Sequence, residues 1–169
     1  MNTVTVKKPT NREWKSKEER GVKSKKLIHA FEQLDIIEAA KDGEKLTLLK
    51  QYGSLAPLSF VLSLNFRNDI KLDLPEGMPP LDPNELDAST HPDLMGTLAT
   101  AVHRLKNCMV GVKTNKQFKK EDIFVQVLLS CPLKDAEILC SAKDKALEEL
   151  YPSITSELVK SAFPAYVKE

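Results

Sequence analysis

The side chains of this 169-residue chain that could do chemistry are three histidines, three cysteines and a run of carboxylates. Their spacing decides what they could do together. His29, His91 and His103 lie far apart, with no second histidine or cysteine three or four residues on, so none forms the paired-histidine motif of a helix-borne metal site. His29 and His103 are expected as structural or surface residues of helices, and His91, just before Pro92, as a helix-start residue. Cys108, Cys131 and Cys140 are in no metal-like spacing and each adjoins apolar neighbours, so they are expected as buried small hydrophobes in a reduced setting. The acids Asp73, Glu76, Asp82, Glu85, Asp87 and Asp93 are dense enough to suggest a divalent cation, but the prolines between them prevent the winding of a calcium loop. They are expected to keep an exposed loop solvated. Neither GxGxxG nor GxxxxGK[ST] occurs among the six scattered glycines. The expectation is therefore no catalytic set, no metal and no cofactor, which makes the chain a non-enzyme on this reading.

The elements around these residues read as helices. From Lys25 to Ala40, Leu27, Ile28, Phe31, Leu34, Ile37 and Ala40 recur at three or four residues, the stripe of one amphipathic helix. Asp42 and Gly43 are read as an interruption, followed by a short helix through Leu46, Leu49 and Tyr52 that breaks at Gly53. Ser54 is expected to cap a helix over 55–66, whose Leu58, Phe60, Val61, Leu62, Leu64 and Phe66 make it apolar almost all round and the best central element. A further helix is expected from His91–Pro92 to Leu105, a turn or short hairpin over 110–120, a helix over 121–131, another over 133–150, and a last one capped by Thr155 and ended by Pro164. The expected fold is all-α, a compact bundle of six or seven helices in a single domain over 25–169, with 1–24 as an arm. No run of apolar residues approaches the ~20 needed to cross a bilayer, and the N-terminus has no apolar signal-peptide core, so no membrane partner is expected.

Residues 68–92 interrupt this pattern. Pro75, Pro79, Pro80 and Pro83 each remove a backbone donor and push the preceding residue to extended geometry, so the segment cannot continue a helix. It is expected as an ordered extended strap, with Ile70, Leu72, Leu74, Met78 and Leu81 pressed on the helical body. Pro75, Glu76, Met78, Pro79, Pro80 and Leu81 are the candidate residues for docking a protein partner. A second candidate surface is basic. Residues 1–26 hold nine cations against three carboxylates, +6, which leaves −5 for the other 143 residues of a chain with net charge +1. Arg12, Trp14, Lys23, Lys25 and Lys26 of the arm, with Lys116, Phe118, Lys119 and Lys120, combine cations with aromatic rings on which a base could stack, so nucleic acid is a possible partner.

Two segments, SLNFRNDIKLDLPEGMPPL at 63–81 and DAEILCSAKDKALEELYPSITSELVKSAFP at 135–164, resemble a family of small uncharacterised proteins encoded by large T-even-like tailed phages. Where members of that family often carry an aromatic residue after the PEGxPP turn this chain has Leu81, and its basic arm looks like an addition. The resemblance carries no catalytic residue. It implies a phage-encoded accessory protein, working in the cytoplasm of the infected bacterial cell by binding host or phage protein machinery during infection. A nucleic-acid-binding regulator using the arm, and a virion structural component, are the alternatives.

Overall fold

A computed structural model describes residues 29–81, 98–113 and 116–167. In chain order the described residues form α1 (Ala30–Ala39), α2 (Asp42–Gly53), α3 (Leu58–Phe66), α4 (Leu98–Leu105), a single 3-10 turn (Lys106–Cys108), α5 (Gln117–Leu129), α6 (Leu133–Lys143), α7 (Leu147–Leu150) and α8 (Ser156–Ala162). Among them there is no strand, only one isolated antiparallel bridge between Leu72 and Met109. The all-α expectation holds, with eight α-helices among the described residues where six or seven were expected. The arm at 1–24, the helix start at His91–Pro92 and the strap beyond Leu81 up to residue 92 lie outside the described residues.

α6 lies at the centre, packed against α1, α3, α5 and α7, and its pairing with α3 is the most extensive among the described residues. α3 fits the apolar sequence pattern, burying Leu58, Val61, Leu62, Leu64 and Asn65. α6 does not look central in sequence, because the buried residues of LKDAEILCSAK include Asp135 and Lys143. Charged side chains are buried only when paired. Here both partners come from distant parts of the chain. The Nδ1 of His29 lies 3.3 Å from Oδ2 of Asp135, and the Phe31 amide donates to Oδ1 at 2.9 Å across 104 residues. One carboxylate thus satisfies an otherwise unpaired amide in the first turn of α1 and joins the starts of α1 and α6.

Several boundaries differ from the sequence reading. Asp42 and Gly43 begin α2 instead of interrupting it: Asp42 and Glu44 place negative charge in the first turn, and the amides of Glu44 and Lys45 bond to the Lys41 carbonyl. Ser54 does not cap α3. Its hydroxyl donates back to the Gln51 carbonyl at 3.2 Å, closing α2, while the carbonyls of Leu55 and Pro57 accept the first amides of α3. The QFKK of the expected hairpin is the first turn of α5. The expected helix over 133–150 is two, broken where Lys145 adopts φ +61°. Thr155 caps α8 as expected, its side chain accepting from the Leu158 amide at 3.2 Å.

α8 packs on α2, closely enough that a Cβ at Gly53 would lie 2.8 Å from the Phe163 ring. The loop before α8 is tied to α1 by polar contacts. Tyr151 donates to Asp35 at 3.0 Å, and the Ser153 hydroxyl donates to Glu38 at 3.0 Å while accepting from Lys45 at 2.7 Å. Among the described residues no helix is long and apolar enough to cross a membrane.

Candidate functional site

The non-helical segment after α3 is the most distinctive surface of the protein, and three lysines and one aspartate shape it. At its start the α3 helix leaves carbonyls without intrahelical donors. The Lys145 ammonium supplies them, donating to the carbonyls of Leu64, Arg67 at 2.6 Å and Ile70 at 3.1 Å. Burial pulls its pKa below the ordinary lysine value while Asp69 opposes that shift. Beside it, the buried amide of Leu147 donates to Asn65 Oδ1 at 3.1 Å, so α7 starts against the end of α3.

Further along, Leu72 is buried and the chain pairs briefly with the segment after the 3-10 turn. The Asp73 amide donates to the Cys108 carbonyl at 2.7 Å, and the Val110 amide to the Lys71 carbonyl at 3.0 Å. Lys120 of α5 holds the Asp73 carboxylate at 2.7 Å, and Gln117 donates to the Asp73 carbonyl at 3.1 Å. Lys143, at the end of α6, donates to the Pro75 carbonyl at 2.6 Å and pairs with Asp144. Asp144 in turn accepts from the Gly77 amide at 2.8 Å. Gly77 has φ +81°, a left-handed backbone that favours glycine, and it turns the chain so that its amide meets that carboxylate.

Fastened in this way, Pro75, Glu76, Met78 and Pro80 stand exposed, and Pro79 and Leu81 half-buried. Between this turn and α5 lies a cleft of about 350 Å³, lined by Leu74, Pro75, Gly77, Met78, Pro79, Pro80, Phe124 and Val125, with the carboxylates of Glu76 and Glu121 on its walls. Five of the six sequence-nominated docking residues line it, and Leu81 is the exception. On the other side of Leu74 and Pro75 is a more polar depression of about 620 Å³, reaching Asn68, Lys71, Lys143, Asp144 and Lys145.

The basic candidates separate. Arg12, Trp14, Lys23, Lys25 and Lys26 lie outside the described residues. Lys116, Phe118 and Lys119 are exposed at the start of α5, but Lys120 is buried and committed to Asp73. Lys120 is drawn in by the Asp73 carboxylate of the strap, which packs against α5, while Lys116 and Lys119 stay in water. Of the carboxylates, Asp73 is engaged by Lys120, Glu76 is exposed, and Asp82, Glu85, Asp87 and Asp93 lie outside the described residues. His103 is exposed on α4, and His91 lies outside the described residues.

Cys108, Cys131 and Cys140 are free and buried, as expected. Burial pushes the Cys131 thiol up to about 12 and the Cys140 thiol up to about 11, helped at Cys131 by the nearby Asp135 charge, and it raises Cys108 as well. Protonated thiols in such surroundings are poor nucleophiles. Asp135 is also raised, by burial first, against the pull of the Phe31 amide and His29. Among the described residues no group of three or more His, Cys, Asp or Glu side chains is placed to hold a metal ion.

Sequence reasoning missed Lys120, Lys143, Asp144 and Lys145 as the fasteners of the strap. A signal was present: KDK interrupts an apolar helix pattern where solvated charges would be expected to stay on one face. What the sequence could not show is that this KDK meets the carbonyls of 64–75. Residues 64–75 and the KDK at 143–145 are therefore the two halves of one contact.

These features define a class: a small all-α protein whose distinctive surface is a lysine-fastened, proline-rich turn beside an apolar cleft. The chain belongs to the DUF6433 family, a family of unknown function whose model matches residues 34–149. The match runs from the second half of α1 almost to the end of α7, and leaves out both the N-terminal residues 1–24 and α8. No curated protein and no solved structure matches the chain.

Proposed function

We propose that this protein is a phage-encoded, non-catalytic accessory protein that works in the infected bacterial cytoplasm by docking a segment of a host or phage protein on its proline-rich turn. The observation that carries this reading is the combination of exposure and fixation at Pro75–Pro80. The apolar surface of Met78 and the prolines faces solvent, while the backbone is held by Lys143 and Asp144. A turn already held in place loses little conformational freedom on binding, which favours affinity for a small contact. The cleft has apolar walls and two carboxylates, Glu76 and Glu121, with no lysine or arginine in its lining. The matching ligand is a protein segment that places an apolar side chain in the cleft and a lysine or arginine beside it.

The test is a tagged pull-down from infected cells, with and without nuclease, comparing the intact chain with Met78→Asp. The reading expects a protein captured in the presence of nuclease and lost with Met78→Asp. Capture that survives Met78→Asp, or that vanishes on nuclease treatment, overturns it.

A further inference from the structure

Residues 94–120 contain Arg104, Lys106, Lys113, Lys116, Lys119 and Lys120 and not one carboxylate, in a chain that otherwise mixes both signs. α4 and the 3-10 turn both pack on α5: Cys108 of the turn donates to the Lys120 carbonyl at 3.4 Å, beside the first turn of α5, while Arg104 at the end of α4 reaches Gln126 further along that helix. Lys120 is spent inside, on Asp73. The other five cations are exposed, and of these Arg104 gives one donor to Gln126 at 2.5 Å.

In the first turn of α5, beside Lys116 and Lys119, stands Phe118, 76% exposed, the most exposed large hydrophobic residue among those described, and Val110 of the preceding loop is 59% exposed. The first turn of α5 has no acidic residue and Lys116 makes no side-chain cap, so nothing negative from that turn offsets the amide dipoles there. The nearest acids on α5 are Glu121 and Asp122, and they accept from Gln117 and Gln126.

We infer that this corner is a binding platform for single-stranded nucleic acid, with Phe118 stacking on a base and Lys113, Lys116 and Lys119 meeting phosphates. A free aromatic ring bordered by cations suits a strand whose bases are unstacked and available; a duplex offers its phosphates but hides its base faces. An acidic peptide would use the lysines but has less need of the phenyl ring. The platform shares no residue with the lining of the docking cleft, though both border α5.

The experiment measures fluorescence anisotropy of labelled single-stranded DNA and RNA of about 20 nucleotides, and of a duplex of the same length, with the full chain at several salt concentrations. Phe118→Ala is expected to weaken single-strand binding by roughly 5- to 150-fold with little effect on the duplex. The triple change Lys113→Gln, Lys116→Gln, Lys119→Gln is expected to reduce the logarithmic salt slope by about 2. Lys50→Gln, an exposed change on the distant α2, should leave both values unchanged. All changed residues are exposed, and circular dichroism confirms that each variant is folded. Three results overturn the inference: no single-strand binding by the intact chain at about 50 mM salt, unaltered binding by Phe118→Ala and the triple variant, or a poly-glutamate competitor that binds equally well and is equally sensitive to Phe118→Ala.

Discussion

Replacing Lys145 with methionine keeps the aliphatic stem and the backbone conformation but removes the ammonium that serves the carbonyls of Leu64, Arg67 and Ile70. The Leu64 carbonyl is partly buried, and leaving such an acceptor unpaired costs about 1–3 kcal/mol. The other two bonds are exposed, so water replaces most of what is lost and they add at most about 0.5 kcal/mol each. The expected loss is about 2 kcal/mol, or a fall in Tm of roughly 4–8 °C for a chain of this size. Lys145→Gly separates the ammonium from the backbone. It also deletes the three bonds, but at φ +61° it relieves about 1 kcal/mol of left-handed strain, so it should be less destabilising than methionine. Thermal and urea unfolding followed by far-UV circular dichroism give the stabilities. Amide hydrogen exchange gives a local readout, because the Asp73 and Val110 amides of the short bridge should exchange faster once the strap is loosened. A neutral Lys145→Met together with a stabilised Lys145→Gly would refute the reasoning, since it would mean the ammonium contributes nothing and only the strained backbone remains.

Asp135→Ala should cost about 3 kcal/mol because it strands His29 and the Phe31 amide inside the protein, whereas Asp135→Asn, which can still accept from that amide, should cost less; urea midpoints distinguish the two. Gly53→Ala should destabilise by about 1–3 kcal/mol through the 2.8 Å approach to Phe163, and the penalty should shrink in a Phe163→Leu background, measured as a double-mutant cycle. The thiols predict an alkaline limit. Below the ordinary thiol value of 9.0 both folded and unfolded chains keep the protons of Cys131 and Cys140; between 9.0 and about 11 to 12 the unfolded chain releases them and the folded chain does not. Stability should therefore fall as pH rises through that window, less steeply in a Cys131→Ala, Cys140→Ala variant, and iodoacetamide at about pH 8 should label these thiols only after denaturation.

Local chemistry explains what could be read without coordinates. Helices announce themselves through apolar residues three and four apart, as in Leu34 and Ile37 or Phe124, Val127 and Leu128, all buried. Thr155 capped the helix that follows it because a cap needs only three residues of sequence. Pro75, Pro79 and Pro80 excluded helix after α3, since a missing amide and a fixed φ act on the chain where they stand. The start of α2 was misjudged for the converse reason: Gly43 looks like a break until the carboxylates of its first turn are weighed against it. Ser54 had the right type for a cap, but its hydroxyl found a carbonyl behind it first.

From its residues alone the chain was determined to be an all-helical body with a non-helical, proline-rich interruption and an uneven distribution of charge, because periodicity, backbone restriction and net charge are properties of neighbours in sequence. Only the tertiary structure decided that α6 is central, that Lys120 points inward while Lys116 and Lys119 stay in water, and that Lys143, Asp144 and Lys145 hold the strap. A buried charge is tolerable only beside its partner, and although Lys143 also pairs with the adjacent Asp144, the acceptors that Lys120, Lys143 and Lys145 find at 64–75 lie 47 to 81 residues away. Pairings across such distances have no local signature, and they exist only once the chain has folded.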